Sequence, residues 1–357
     1  MRALRAMLLL LVGAALLGAT LVAFGLRELA RPRAFDGPVE LEVAPGESAG
    51  RVLETLERRG VVRSALAARL YLVRVLGDPP IHAGEYRFDP PLSTVEVLDR
   101  LVAGQVVTHP VTVVEGLTYA ETAEAIAAAG FGRLDELLTE VSSPARVADL
   151  DPEATTLEGY LFPDTYRFPR GISSAAIVDA MVANFRARFA RDIEPLLGDP
   201  PARPLRDLII LASLVEKEAR IDSERPLIAG VYANRLRRGM GLYADPTIIY
   251  GLKLEGRWDG DLRRRDLEAD SPWNTYKVAG LPPGPICSPG LASLRAAAEP
   301  ADGPYLYFVS RNDGTHVFAA TLAEHNRNVE TWQRRYFRER RAAQEAEDGK
   351  PTRPDQH

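Results

Sequence analysis

Two carboxylic acids lie at the end of an apolar run, where a carboxyl group could act as a general acid. The run spans residues 208–215 and leads without a break into Glu216, Lys217 and Glu218. On an α-helix, Glu218 ends a stripe whose other members are apolar, namely Leu208, Leu211 and Val215. A carboxyl group there is poorly solvated and holds its proton more tightly, as a general acid at neutral pH requires. The same spacing also allows a simpler interpretation, in which the three charges form the solvated end of a core helix.

Polar and aromatic residues that could bind a ligand follow in loops rich in proline and glycine. Asp245 precedes Pro246 in one loop, where it could contact a ligand or simply cap a helix. A second loop, residues 271–276, contains Asn274 and Tyr276. Irregular loops on a rigid scaffold are a common place for a binding site, so these residues are candidates to line a groove beside Glu218.

An earlier segment, residues 157–168, places four aromatic residues around two carboxylates. Glu158, Tyr160 and Tyr166 lie within it. Aromatic faces with interspersed carboxylates suit sugar rings, which present CH faces and hydroxyl groups. The segment could instead form a strand–turn–strand with its own small core.

Helices must position these groups. The pattern predicts an amphipathic helix over residues 177–189, the glutamate-bearing helix over 208–220, and a third helix that begins at Asp222 or Ser223 and stops at Gly239. Shorter elements follow: a helix at 248–251, strands at 305–309 and 316–318, and a closing helix at 322–337.

A strand–turn–helix pattern occurs twice in the first half of the chain. Gly46 and Gly116 occupy equivalent turn positions in the two copies, and Gly60 and Gly130 end the two helices at the same spacing. This indicates one small α/β unit used twice. The predicted fold class is α+β, with small α/β modules followed by a mixed α+β domain around the glutamate-bearing helix.

The beginning of the chain predicts a membrane anchor. Residues 6–26 contain no charged residue, and this segment matches the roughly 20 residues that an α-helix needs to span a bilayer. A cleaved signal peptide is the alternative, although its apolar region is usually shorter. Arginines occur on both sides of the span, so the charge distribution does not decide its orientation.

Composition argues against several classes of function. The 357 residues carry a net charge of −5, which gives no reason to expect nucleic acid as a partner. Cys287 is the one cysteine, so no intrachain disulfide is possible and a cysteine-based metal site is not expected. The five histidines are scattered, without a close pair. We therefore predict no metal and no cofactor.

The chain closely resembles the membrane-anchored endolytic murein transglycosylase family of bacteria, also known as the MltG or YceG-like family. The resemblance rests on five segments in this order: EGYLFPDTY, LASLVEKEA, ADPTIIYGL, SPWNTYKVAGLPPGPICSPG and PYLYFVSRNDGTHVF. It covers nearly the whole chain after the anchor. It implies LysM-like modules before the catalytic domain, and a soluble part outside the cytoplasmic membrane in a single-pass inner-membrane protein.

The expected domains follow from the pattern and the resemblance together. They are a cytoplasmic N-terminus at 1–5, a transmembrane helix at 6–26, a tether at 27–38, a LysM-like region at 39–150, a catalytic transglycosylase domain at 151–338 and a disordered tail at 339–357.

The resemblance also implies a reaction. The family cleaves the β-1,4 bond between N-acetylmuramic acid and N-acetylglucosamine within glycan strands, and leaves a 1,6-anhydromuramyl end without adding water. Its catalytic glutamate lies in the VEKE motif, and Glu218 before Ala219 fits the wider lytic transglycosylase register better than Glu216. Ala219 departs from the Ser or Thr often found there. The residues hypothesised to bind substrate are Asp245, Thr247, Asn274 and Tyr276, with Glu158, Tyr160 and Tyr166 as further candidates for the same wall.

Two other functions remain open at this point. One is a membrane-anchored peptidoglycan-binding scaffold without catalysis, in which Glu218 is structural. The other is a hydrolase that uses Glu218 together with Asp245, because ordinary glycosidases need two carboxylates. The family's link to strand termination suggests glycan polymerases and transpeptidases as partners, besides the glycan strands and the membrane.

Overall fold

The computed structural model of the protein describes residues 2–347. The architecture is mixed α+β, as predicted, and the chain divides into two compact units. Met1–Pro110 and Arg167–Ile172 form the first unit, and Val111–Tyr166 and Ser173–His357 form the second.

The first unit begins with a long apolar helix, α1 (Arg2–Ala30). Its segment Met7–Ala30 is long and apolar enough to cross a membrane. The helix therefore continues past residue 26, where the predicted span ends. Leu8, Leu9 and Leu10 in this segment are more than half exposed.

A two-stranded antiparallel sheet and three helices follow α1 in the first unit. Strand β1 (Val39–Val43) pairs with β2 (Gly84–Phe88), with Val39 opposite Phe88. The helices are α2 (Ala49–Arg58), α3 (Ala65–Arg74) and α4 (Thr94–Val102). Their inward faces bury a core that includes Leu53, Leu56, Leu72, Phe88, Leu98 and Leu101.

The second unit consists mainly of helices. Strand β5 (Tyr307–Ser310) pairs antiparallel with β6 (His316–Ala319) in this unit, whereas β3 (His109–Thr112) and β4 (Thr165–Phe168), which form a two-stranded sheet, each have residues in both units. The helices up to the two glutamates are α5 (Tyr119–Ala128), α6 (Leu134–Val141), α7 (Ser174–Asp192) and α8 (Leu205–Glu218). The helices after them are α9 (Arg225–Arg237), α10 (Asp245–Leu254), α11 (Arg264–Leu267), α12 (Leu291–Ala298) and α13 (Leu322–Val329). A π-helical turn (Glu330–Arg335) leads into α14 (Tyr336–Glu347), and short 3-10 turns occur at Pro144–Val147, Glu194–Leu196 and Asp222–Glu224.

Both copies of the predicted strand–turn–helix pattern are present, one in each unit. Ser48 caps α2 by accepting a hydrogen bond from the Arg51 backbone, and Thr118 caps α5 in the same way from Glu121. The turn glycines Gly46 and Gly116 both have a φ of 78°, a left-handed conformation that favours glycine. Equal conformations at equivalent positions support the internal repeat.

The second copy is held against the glutamate-bearing helix. The Gly116 backbone N–H donates to the Ser288 carbonyl at 2.9 Å, and the Ser288 N–H donates to the Leu117 carbonyl at 2.8 Å. The Lys217 ammonium on α8 donates to the Gly116 carbonyl at 3.2 Å. The repeat from residue 111 onward is therefore part of the unit that contains α8.

Several elements differ from their predicted extents. Helix α10 runs from Asp245 to Leu254, longer than the predicted 248–251, because its start at Asp245-Pro246 is a favourable first turn. Helix α9 has Glu224 as its N-cap, without a side-chain capping bond, and Asp222 lies in the preceding 3-10 turn. The tail predicted to be disordered from residue 339 is helical as far as Glu347, and its remainder lies outside the described residues.

Candidate active site

The last turn of α8 places Glu216 and Glu218 at the C-terminal end of a buried helix. Residues 208–215 are buried on every side of α8. The helix ends at Glu218 because Ala219 takes extended backbone angles, with φ −76° and ψ 128°. Carbonyl groups without helical partners carry partial negative charge at such an end and disfavour a carboxylate there.

Glu216 belongs to a buried ion pair. One carboxylate oxygen accepts a hydrogen bond from Arg225 Nη1 at 3.3 Å, and the other accepts one from the Gly290 backbone N–H at 2.9 Å. The Glu216 and Arg225 side chains are only 7% and 8% exposed. Both of its oxygens are therefore bound by protein groups.

Glu218 instead lines an open cavity of about 610 Å³. The other lining residues come from α9, the loops around α10, the β5–β6 hairpin and α13: Arg235, Met240, Tyr243, Asp245, Tyr276, Tyr307, Phe308, Leu322 and His325. Burial, and then the negative charge of Asp245, raise the pKa of Glu218 from its ordinary value of 4.5 to about 7. A carboxyl group with this pKa is partly protonated at neutral pH and can donate a proton.

Helix α9 brings two groups to Glu218 that oppose this rise in pKa. The buried Tyr232 hydroxyl interacts with the Glu218 carboxyl, although it does not meet the geometry of an ordinary hydrogen bond. The positive charge of Arg235 also lowers the pKa of Glu218. Tyr232 and Arg235 occupy positions i and i+3 and so lie on one face of the helix.

Arg235 is a buried cation held by backbone carbonyls and aromatic rings. Its Nε donates to the Leu306 carbonyl at 2.7 Å, and its Nη1 donates to the Leu242 carbonyl. Its guanidinium carbon lies 5.4 Å from the centre of the Tyr243 ring and 5.5 Å from that of Tyr307. This arrangement joins the loop before α10 to the β5–β6 hairpin, and thereby fixes two walls of the cavity.

Asp245 and Tyr276 meet in the same cavity. The Tyr276 hydroxyl donates to Asp245 Oδ1 at 2.7 Å. Burial, with the hydrogen bond and charge of Asp245, raises the pKa of Tyr276. Tyr243 packs edge-on against Tyr276 with ring centres 5.3 Å apart, and both rings are more than a third exposed. The structure thus brings two of the predicted binding residues together with Glu218.

Thr247 and Asn274 are not among the lining residues of this cavity, because both are fully buried. The Thr247 hydroxyl donates to the Ala244 carbonyl at 2.8 Å and contacts the Thr275 hydroxyl at 3.0 Å. The Asn274 amide donates to the Leu267 and Ala269 carbonyls, and its oxygen accepts from the Tyr276 backbone N–H at 3.1 Å. These side chains hold the loops that carry Asp245 and Tyr276.

Glu158, Tyr160 and Tyr166 do not line the Glu218 cavity either, and the first two line a separate, smaller cavity of about 120 Å³. Both carboxylate oxygens of Glu158 accept the Tyr119 backbone N–H, at 3.0 and 3.2 Å, and burial raises the pKa of Glu158 to about 8. The Tyr160 hydroxyl donates to Asp151 at 2.7 Å, and the Tyr166 hydroxyl donates to the Phe162 carbonyl at 2.6 Å. The aromatic segment therefore forms a core of its own, as the simpler interpretation allows.

Several residues around Glu218 are missing from the sequence-based set. Arg235, Tyr232, Tyr307 and His325 lie on regular elements, where they look like ordinary surface or core positions. Tyr243 offers one signal, since it precedes Asp245 in the same loop. Among residues 2–347, no three His, Cys, Asp or Glu side chains come together as metal ligands.

The chain is similar over most of its length to known proteins. The YceG-like family model matches residues 41–331. An endolytic murein transglycosylase from Bacillus subtilis is 32% identical over 82% of this chain and 84% of its own length. Another from Streptococcus pneumoniae is 29% identical over 82% of this chain and 58% of its own length.

The chain is also similar to a solved structure. The crystal structure of a YceG-like protein from Listeria monocytogenes is 32% identical, with a TM-score of 0.54 over 82% of this chain and 99% of the other. A family match over most of the chain, a relative of similar length and a similar fold lead to one conclusion. This chain belongs to the YceG-like family.

Proposed function

We propose that this protein is an endolytic lytic transglycosylase of peptidoglycan, a lyase that cleaves the β-1,4 bond between N-acetylmuramic acid and N-acetylglucosamine. The relatives in Bacillus subtilis and Streptococcus pneumoniae are named endolytic murein transglycosylases. The observation that carries the proposal is the environment of Glu218, a carboxyl group with a pKa of about 7 in an open cavity with aromatic walls. Such a group can both donate and accept a proton near neutral pH.

The reaction needs one carboxyl group in two protonation states. Protonated Glu218 gives its proton to the glycosidic oxygen as the bond from that oxygen to C1 of the muramic acid breaks. The C6 hydroxyl of the same sugar then forms a bond to C1 and gives its proton to the Glu218 carboxylate. The product is a 1,6-anhydro end, no water is consumed, and Glu218 returns to its starting state. Attack within one sugar also avoids the entropic cost of positioning a water molecule.

Asp245 is the carboxylate that a hydrolase would need, so the two-carboxylate alternative has a specific candidate in the same cavity. Its Oδ1 accepts the Tyr276 hydroxyl, and its charge raises the pKa of Glu218. We assign Asp245 the role of keeping Glu218 protonated and of binding sugar hydroxyl groups with Tyr276. Thr247 and Asn274 hold the backbone segments that carry Asp245 and Tyr276. Glu158, Tyr160 and Tyr166 stabilise the second unit.

The remaining features fit an enzyme that works at the cell wall. We propose that the apolar segment Met7–Ala30 anchors the protein in the cytoplasmic membrane as a single pass, with the active site on the outer side. The two strand–turn–helix copies remain candidates for LysM-like modules that bind glycan. Nascent glycan strands are the proposed substrate, and glycan polymerases and transpeptidases stay predicted partners.

The mass of the products separates the three functions. The full-length protein in detergent is incubated with uncrosslinked glycan strands, and the fragments are analysed by mass spectrometry, with Glu218→Gln as the inactive control. Anhydro ends support the proposal. Reducing ends, one water heavier, would refute it in favour of a hydrolase, and strand binding without cleavage would indicate a scaffold.

A further inference from the structure

Helix α3 in the first unit is apolar on two opposite faces. Its inward face buries Ala65, Ala68 and Leu72. On its outward face, Leu66 and Leu70 lie one turn apart and are 72% and 54% exposed. A surface helix of a globular protein normally has a polar outer face, so exposed leucines at this spacing indicate a partner.

The sequence around α3 is basic. From Arg58 to Leu76 the chain contains no carboxylate and these arginines: Arg58, Arg59, Arg63, Arg69 and Arg74. The two nearest acids in the sequence are Glu57, which accepts the Ala65 N–H at 3.2 Å, and Asp78, which pairs with Arg69. Leucines flanked by arginines match a bilayer surface with anionic headgroups, because the leucines enter the apolar boundary while the arginines contact the headgroups.

A direct contact ties α3 to the apolar span. Arg63, one residue before the N-cap Ser64, donates to Glu28 at 2.7 Å. Glu28 lies in the last turns of α1, within the segment Met7–Ala30. The N-terminal end of α3 is therefore held at the C-terminal end of the apolar span.

We propose that the outward face of α3, formed by Leu66, Leu70 and the flanking arginines, lies on the anionic surface of the bilayer that holds α1. This inference rests on the membrane anchoring proposed above. This contact between α3 and the bilayer fixes the orientation of the first unit on the membrane, in addition to the restraint from the predicted tether.

The test places a fluorescent probe at single cysteines in the full-length protein, in vesicles with and without phosphatidylglycerol. Cys287 is buried, so an introduced surface cysteine is labelled selectively. A probe at Leu70→Cys is expected to be quenched by a lipid with a quencher near the headgroup, more strongly with anionic lipid. A probe at Leu17→Cys, near the middle of the span in α1, reports insertion of the anchor when the lipid carries its quencher deep in the acyl chain.

Further variants identify the contact. Leu66→Asp is expected to abolish quenching of the Leu70→Cys probe, whereas Leu254→Asp, at an exposed leucine of the second unit, leaves it unchanged. Quenching at Leu17→Cys without quenching at Leu70→Cys would overturn the proposal and leave the anchor intact. Absence of quenching at both positions would overturn the membrane anchor and this inference together. Energy transfer between Leu70→Cys probes on different molecules would overturn the inference by showing that a second copy of the protein occupies the face.

Discussion

Glu216 and Glu218 are close neighbours in the chain, and their replacement by glutamine is expected to have opposite effects. Glu218→Gln removes the proton that the reaction requires, so turnover falls by about 10²–10⁴-fold, the usual contribution of general acid–base catalysis. Its fold is expected to survive, since a neutral amide in place of a carboxyl group with raised pKa imposes no charge on the buried end of α8. The melting temperature should therefore match the wild type near neutral pH.

Glu216→Gln is expected to act on stability. It leaves the Arg225 cation without its buried carboxylate partner, and breaking a buried pair in this way costs about 3–5 kcal/mol. Arg225 keeps its bonds to Asp222 at 3.0 Å and Ser293 at 2.8 Å, so we expect a cost near the lower limit, about 3 kcal/mol. For a unit of this size that corresponds to a melting temperature lower by roughly 6–12 °C.

Two measurements on the same samples decide the matter. Thermal unfolding followed by circular dichroism gives the stability, and anhydro-product formation well below the melting temperature gives the activity. We expect Glu216→Gln to retain most of its activity under those conditions. An active Glu218→Gln protein, beside an inactive Glu216→Gln protein with unchanged melting temperature, would refute the assignment of Glu218.

Three further predictions concern the surroundings of these residues. Activity should decline as pH rises through about 7, because Glu218 loses its proton there. Asp245→Asn should move this decline to lower pH, since the substitution removes a negative charge that raises the pKa of Glu218. An unchanged pH profile would contradict this role of Asp245. Arg235→Lys keeps the charge but loses the planar contacts with Tyr243 and Tyr307, so we expect kcat/KM to fall by about tenfold. An unaffected variant would show that these two walls of the cavity do not depend on Arg235. The pKa of Glu158 is about 8 in the folded state, so the contribution of its bound proton to stability is complete below pH 4.5 and is lost as pH rises to about 8. Denaturant titrations at pH 5 and pH 9 should therefore show a smaller loss of stability for Glu158→Gln than for the wild type.

The helices are predictable from sequence because their signals are local. The apolar period, the capping residues and the terminal glycines specify α7, α8 and α9 to within a few residues. The stripe that ends at Glu218 is less decisive than its spacing suggests, because α8 is buried on every side and the helix face does not distinguish the two glutamates. Their partners distinguish them, and those partners, Arg225 and Asp245, come from other elements.

The polar loop residues show why the site is only partly predictable. Asp245 and Thr247 occur close together, yet one faces the cavity and the other bonds to the Ala244 carbonyl. A buried backbone carbonyl attracts a side-chain donor as readily as a ligand does. Tyr160 and Tyr166 belong to the core for a similar reason, since each hydroxyl finds a partner inside the protein. Which of these partners is available depends on the tertiary fold.

The contacts of Gly116 and Leu117 with Ser288 have a practical consequence for dividing the chain. Ser288 lies just before Gly290, whose N–H binds Glu216. A fragment that starts at residue 151 would lose the backbone bonds that hold this loop, along with the contact of Lys217 to Gly116. We expect such a fragment to melt at a lower temperature than one that includes β3 and α5, and equal melting temperatures would contradict this. The segment that resembles a detachable module is thus expected to stabilise any fragment that carries the active site.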